Sequence, residues 1–317
     1  MQLFLNLNLN LDLMHYHALY QSGELLQRVR EGYRRLLACD LCPHSCGINR
    51  IKGEQGRCRS GLKPRIASAN LHHGEEPPIS GSRGSGTIFF SGCTLSCLFC
   101  QNFPISQQNN GESISTAELA KRMLGLQKRG AHNLNLVTPT HWLPQFLAAL
   151  WQAIPQGFTL PIVWNSSGYE TIEVLQLLDG VVSIYLPDMK YADDTQAKEL
   201  SGAPGYTAFN HAAVQEMLHQ VGHLQVDDQG IALQGLIIRH LVLPQGRAGS
   251  CETLPWIADH LGEQTHIALM SQYFPAWQAT TTAGINRGVV HDEYDAAVEA
   301  LEAAGLENGW VQELGTE

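Results

Sequence analysis

Three cysteines fall within one short stretch, Cys93-Thr-Leu-Ser-Cys97-Leu-Phe-Cys100, directly after the β-prone run Thr87 to Phe90 and the dipeptide Ser91-Gly92. This spacing places a metal site on a loop at the end of a strand. Soft thiolate sulfur selects zinc or an iron–sulfur cluster. Three close cysteines cannot close a four-ligand site. Either a distant residue such as Cys251 or a histidine completes a closed zinc site, or one metal position stays open for something else.

A second set, Cys39, Cys42, Cys46 and Cys58, has gaps of two, three and eleven residues. Four thiolates can complete a tetrahedral site, and Gly53 and Gly56 allow the tight loop it requires. A structural zinc and a second iron–sulfur cluster both fit, since spacing alone does not separate them. His44 lies within the set and is expected to hydrogen-bond nearby, not to ligate. The set acts either as a staple for the N-terminal segment, the simpler reading, or as an electron relay toward Cys93, Cys97 and Cys100.

Seven of the eight cysteines belong to these two sets, and no secretory leader is visible, so metal ligation in a reducing cytoplasm fits better than disulfides. The net charge of −10 argues against a nucleic-acid or membrane surface, and no apolar run is long enough to span a bilayer. Residues 1–13 alternate Leu with Asn or Asp; they read as an upstream start artefact or a disordered tail.

Apolar positions at helical spacing predict an amphipathic helix from Ser22 to Ala38. Residues 59–85, with Lys63-Pro64, His72-His73-Gly74-Glu75-Glu76-Pro77-Pro78 and glycines to Gly86, read as loop. Beyond Asn102 strands and helices alternate. Strands are expected near 134–138, 162–165, 182–186, 236–243 and 266–270, and helices near 115–130, 143–154, 171–178, 210–221, 254–261 and 292–304. With the strand before Cys93 this makes six β/α units, and hence a parallel sheet with helices outside. Six units are too few for a closed eightfold barrel. The expected fold is α/β, a partial (β/α)6 TIM-type barrel over residues 86–317 preceded by a cysteine-rich metal-binding extension over residues 1–85.

Functional groups of such sheets gather at the C-terminal strand ends. Those ends hold Thr138-Pro139-Thr140-His141, Asn165-Ser166-Ser167-Gly168, Asp188-Met189-Lys190 and Arg239. Asp188 and Lys190 lie on one side of an extended chain, and such charges are buried only when paired or functional. Cys251 stands alone and reads as a buried small hydrophobe.

The x3-x2 cysteine spacing, with Phe99 before the last cysteine, resembles the signature of the radical S-adenosylmethionine (SAM) enzymes. Asp188-x-Lys190 and the strand Ile238-Arg239-His240-Leu241-Val242-Leu243-Pro244 resemble the pyruvate formate-lyase-activating enzymes. The match is closer still to a branch of activating-enzyme-related proteins that also carry the Cys39-x2-Cys42-Pro43-x2-Cys46-Gly47 segment, Gln272 to Pro275 and Asn286-Arg287. The resemblance implies a [4Fe-4S] cluster on Cys93, Cys97 and Cys100, with SAM on its open iron. Asn165, Ser166, Asp188, Lys190 and Arg239 are then the expected SAM contacts, with Phe99 near the adenine. Thr138, Thr140 or His141 stands where many relatives bind the SAM amino group. Glu75 and Glu76 are set aside as SAM ligands, because Gly74-Glu75-Glu76-Pro77 precedes the cysteines, but they can still line the site from the N-terminal segment. The same resemblance implies flavodoxin or ferredoxin as electron donor and a glycyl-radical enzyme as protein substrate. A small metabolite or peptide is the alternative substrate. A non-enzymatic iron–sulfur electron carrier is the alternative from another class.

Overall fold

Runs that are apolar on both faces build the centre of the molecule, as expected for parallel strands covered on both sides. The computed structural model describes residues 15–314, and the expectation for residues 1–13 lies outside them. Ten strands form one mixed sheet: β1 (Arg65–His72), β2 (Ser85–Phe90), β3 (Glu112–Ser113), β4 (Leu134–Val137), β5 (Ile162–Ser166), β6 (Ile184–Pro187), β7 (Gln225–Val226), β8 (Ala232–Leu241), β9 (His266–Met270) and β10 (Gly309–Val311). The order is β10-β9-β8-β6-β5-β4-β2-β1-β3, with β7 attached to β8. Pairing is parallel from β2 through β10 along this path. β1 is antiparallel to both β2 and β3.

The main helices, Thr116–Lys128, Leu143–Ala153, Tyr206–Val221, Ser250–Leu261 and His291–Ala303, bury one face each in the principal core. Ser115 starts the first of them by accepting a hydrogen bond from the Glu118 N–H at 3.1 Å, while Ile114 and Leu119 are both buried beside it. In the N-terminal segment the expected helix is Glu24–Arg35, continued by a turn of 3₁₀ helix over Leu36–Ala38, and a further helix, His15–Gln21, precedes it, separated at Gly23 with φ 81°. Gly32 of Glu24–Arg35 lies against Pro144, where a Cβ would be 3.2 Å from the proline ring.

Residues 59–85 correct the sequence reading. About half of this stretch is regular structure: β1 lies between β2 and the two-residue β3, antiparallel to both, and pairs His72 with Ser85 and Ile66 with Phe90 of β2. A boundary at residue 85 therefore cuts a β-hairpin. The connection between its strands packs onto the sheet. Its helical turn Pro77–Ser80 buries Ile79 among Val163 of β5, Ile184 and Leu186 of β6, and Ala232 and Ile237 of β8. This inner layer carries Glu75 and Glu76 toward the strand ends.

Two further elements are absent from the sequence expectation. Helix Asp194–Ser201, capped by Asp193 accepting from the Gln196 N–H at 2.8 Å, follows β6. The short β10 pairs with β9 and extends the parallel sheet by one strand.

Candidate functional site

The cysteine loop is held in place by main-chain contacts. Gly92 turns the chain out of β2 with φ 82°, and a Cβ there would lie 2.9 Å from the Cys58 carbonyl oxygen and 3.1 Å from His141 Nε2. The Ser96 and Leu98 N–H groups donate at 2.8 Å to the Ser201 and Leu200 carbonyls, at the end of helix Asp194–Ser201. Leu95 and Phe99 are buried beneath the loop, with Phe99 edge-on to Tyr273 at 5.7 Å between centroids.

Each sulfur has a protein neighbour. The Leu95 N–H donates to Cys93 Sγ at 3.3 Å, Ser201 Oγ donates to Cys97 Sγ at 3.0 Å, and Cys100 Sγ lies 3.0 Å from Ser106 Oγ. Burial pushes the Cys97 thiol up to about 11, against the pull of Lys190, and raises Cys93 further. Thiols so buried ionise only beside positive charge. A bound metal ion would supply that charge, and three thiols on one loop with neighbouring donors fit an iron–sulfur cluster.

Next to the loop, Asp188 is the hub of a buried charge row. Its Oδ2 lies 2.6 Å from Lys190 Nζ and its Oδ1 lies 2.8 Å from Arg239 Nη2. Arg239 Nη2 also donates to Asn165 Oδ1 at 2.7 Å, and Asn165 Nδ2 lies 3.5 Å from Glu75 Oε2. Burial alone would raise the Asp188 carboxyl, but Arg239 and Lys190 offset it and hold the group below its usual range. Burial likewise works against the Lys190 ammonium, and Asp188 more than compensates.

The backbone explains the convergence. Parallel pairing continues past β6 as a bridge between Asp188 and Arg239, with the Met189 N–H donating to the Arg239 carbonyl at 2.9 Å. Tyr206 Oη donates to the carbonyls of Ser167 and Asp188, and Asn210 Nδ2 to those of Gly168 and Asp188. Gly168, with φ 67°, leaves room for Asn210: a Cβ there would be 2.2 Å from Asn210 Nδ2.

Asn165, Asp188, Lys190 and Arg239 thus meet beside the three cysteines, as a group. Ser166 is turned elsewhere: its hydroxyl donates to Glu170 Oε2 at 2.9 Å and accepts from the Gly168 N–H at 3.2 Å. Glu170 also accepts from Thr140 Oγ1 and Trp164 Nε1, both at 2.8 Å. Its carboxyl is raised by burial even with three donors around it. Phe99 lies in the core beneath the loop.

His141 sits behind the loop, its Nε2 3.0 Å from the Ser91 carbonyl and its imidazole lowered by burial to about 3. Thr138 adopts φ 58°, a strained conformation for a β-branched residue, at the end of β4. Glu75 and Glu76 do line the site. Glu76 is raised by burial, and its Oε2 is buried without a hydrogen-bond partner, as is Arg239 Nε. The motif was visible; its partners, on β5 and β8, were not.

Cys251 is exposed, not buried, and borders a cleft of about 380 Å³ beside Asp292 and Glu293. Among the described residues no three His, Cys, Asp or Glu side chains are arranged around a single metal ion, and no helix is long and apolar enough to cross a membrane.

Residues 80–203 match a family described as a 4Fe-4S single cluster domain. An uncharacterized protein of Methanocaldococcus jannaschii, MJ0674, is 32% identical over 280 residues, covering 85% of this chain and 75% of its own. Among solved structures, TYW1 with a lysine-pyruvate adduct bound is 11% identical at TM-score 0.43, covering 68% of this chain and 73% of its own. HydG, a maturase of the [FeFe]-hydrogenase, is 11% identical at TM-score 0.46, covering 69% of this chain and 48% of its own.

Proposed function

Because the chain belongs to the same family as MJ0674 of Methanocaldococcus jannaschii, whose name states no activity, its function must be read from its site, and we propose that it is a radical SAM enzyme. One observation carries this reading. A Cys-x3-Cys-x2-Cys loop, inside a segment matching a 4Fe-4S single cluster domain, stands beside the buried row Lys190–Asp188–Arg239–Asn165. The sheet, with Ile79 packed on its inner layer, is read as an incomplete barrel open at this end.

Cys93, Cys97 and Cys100 would hold the [4Fe-4S] cluster, the Leu95 N–H and Ser201 hydroxyl supporting two of the sulfurs. When bound, the cluster supplies the electron that cleaves SAM to methionine and a 5'-deoxyadenosyl radical. Arg239 would take the SAM carboxylate, since a guanidinium fork suits that partner. Asp188 keeps Arg239 and Lys190 charged and fixed, and Asn165 sets the orientation of Arg239 Nη2. Phe99 acts from below, by packing the loop. Glu75 and Glu76 line the side of the site beyond Arg239 and would face substrate.

The substrate in this reading is a glycine of a glycyl-radical enzyme, bound without nucleic acid or membrane in a reducing cytoplasm, with flavodoxin or ferredoxin as donor. The resemblance of Asp188-x-Lys190 and Arg239 to the activating enzymes supports it. The test is 5'-deoxyadenosine formation by anaerobically reconstituted, dithionite-reduced protein given SAM, beside Cys97→Ala. Product that requires Cys97 is expected. A fully iron-loaded protein that makes none overturns the proposal. A glycine-centred radical signal on a co-incubated partner protein tests the activase step separately.

A further inference from the structure

Four thiols outside the first set share one corner of the molecule. Cys39, Cys42 and Cys46 lie on one looped stretch, and Gly56, two residues before Cys58, packs directly on Cys46. The chain around them is tied by short turns: the Cys39 N–H donates to the Ile48 carbonyl at 2.8 Å, Gly47 back to Cys39 at 3.0 Å, and Ser45 to Cys42 at 2.9 Å. Gly56 is pressed against the set, for a Cβ there would stand 2.8 Å from Cys46 Sγ.

Arg50 adds a charge argument. It is fully buried, and among the described residues no carboxylate pairs with it. Its Nε and Nη2 donate to the Gly61 carbonyl at 3.2 and 2.8 Å, its Nη1 to the His141 carbonyl at 2.7 Å, and its guanidinium lies 5.1 Å from the Trp142 ring centroid. A buried cation requires an anion, and a metal–thiolate centre on these cysteines would be one.

The position of this corner decides its role. The Cys58 carbonyl packs on Gly92, the residue before Cys93. His44 Nε2 is 2.8 Å from the Thr94 carbonyl, and Arg57 Nη2 donates to Ser96 Oγ at 3.1 Å. Cys58 and Cys93 line one cleft of about 270 Å³, together with Arg57, Arg59 and Trp277. A staple needs no such abutment of thiol set on thiol set; a relay does.

We propose that Cys39, Cys42, Cys46 and Cys58 hold a second iron–sulfur cluster that passes electrons singly from an external reduced carrier protein to the centre at Cys93, Cys97 and Cys100. The inference rests on the radical SAM reading for where the electron ends. The carrier is oxidised by one electron, the N-terminal centre gains and then loses it, and it is consumed in breaking the carbon–sulfur bond of SAM. No proton moves in the relay. Arg57 and Arg59 flank the exposed side with no carboxylate partner among the described residues, which suits an acidic carrier.

The test uses the full chain. In a Cys93→Ala/Cys97→Ala/Cys100→Ala variant reconstituted anaerobically with iron and sulfide, about four irons per chain and a dithionite-induced paramagnetic signal indifferent to SAM are expected. One equivalent of zinc without iron overturns the proposal. In Cys46→Ser, cluster reduction is timed with photoreduced flavodoxin and separately with dithionite. The ratio of the two rates should fall at least about tenfold, the scale on which loss of a metal's supporting group acts. An unchanged ratio overturns the relay. If SAM fails to perturb the signal of the intact chain, the radical SAM reading fails instead, and the triple variant still decides the second cluster.

Discussion

The two cysteine sets differ in what holds them. Cys93, Cys97 and Cys100 follow the C-terminal end of β2, the last strand of the parallel run, and the ends of β5, β6 and β8 bring Asn165, Asp188 and Arg239 together. Cys39 to Cys58 lie on a stretch whose only regular structure is a turn of 3₁₀ helix, and their shape depends on glycine turns and one buried guanidinium. A site at the ends of parallel strands inherits its geometry from the fold, whereas a site on irregular chain must be built by its own residues. The sharpest test of the difference is a pair of substitutions. Cys97→Ala should abolish 5'-deoxyadenosine formation with dithionite as reductant. Cys58→Ala should remove iron from the N-terminal centre and leave the SAM-perturbed signal of the other. Loss of both signals in Cys58→Ala would mean the two sets form one cooperative unit.

The next largest effect falls on the charge row. Asp188→Asn leaves Lys190 and Arg239 buried together without their anion, so urea unfolding should show a loss of about 3–5 kcal/mol. SAM affinity, followed by equilibrium dialysis, should fall with it. A stability loss below about 1 kcal/mol would show that the glutamates of the inner layer already balance the two cations.

That inner layer is also where the sequence was least legible. The parallel strands announce themselves as continuous apolar runs, and the polar residues at their ends could be named because the strand period and the C-terminal rule place them. Strand β1, Arg65-Ile-Ala-Ser-Ala-Asn-Leu-His72, is half-exposed, flanked on its outer side by the two-residue β3, and carries few large apolar residues, so periodicity does not mark it. The turn after it reads as loop because proline and glycine dominate, although Ile79 is its anchor. Glu75 and Glu76 find their partners only once β1 has folded back on β2 and set them over β5 and β8. Ser166 was misleading for a simpler reason: a hydroxyl at a strand end also suits a neighbouring acid, and Glu170 is four residues away. Ile79→Ala should cost about 2–5 kcal/mol if the turn is a true part of the core. Near-neutral stability in thermal denaturation would return residues 73–81 to the status of a surface loop.

The smallest effect concerns Glu170, and it is a matter of sign. Burial holds this carboxyl above its ordinary 4.5, so the folded chain keeps a proton that the unfolded chain has released at the same pH. Its contribution is therefore fully present below the ordinary carboxylate range and is lost as pH rises through the raised value. Glu170→Gln removes the titration while keeping the oxygen that accepts from Trp164 Nε1, and its amide can donate to a hydroxyl of Thr140 or Ser166 turned to accept. Stability at neutral pH should then stay within about 1 kcal/mol of the parent. The parent's decline as pH rises above the ordinary carboxylate range in urea titrations should flatten in the variant. A variant that keeps the parent's slope would assign the pH response to another buried acid, Glu76, whose carboxyl is also raised and faces Arg239 and Asp188. The pH dependence of stability would then report on the charge row itself, and the contrast between a fold-given and a locally built site would have to include the glutamates as part of the former.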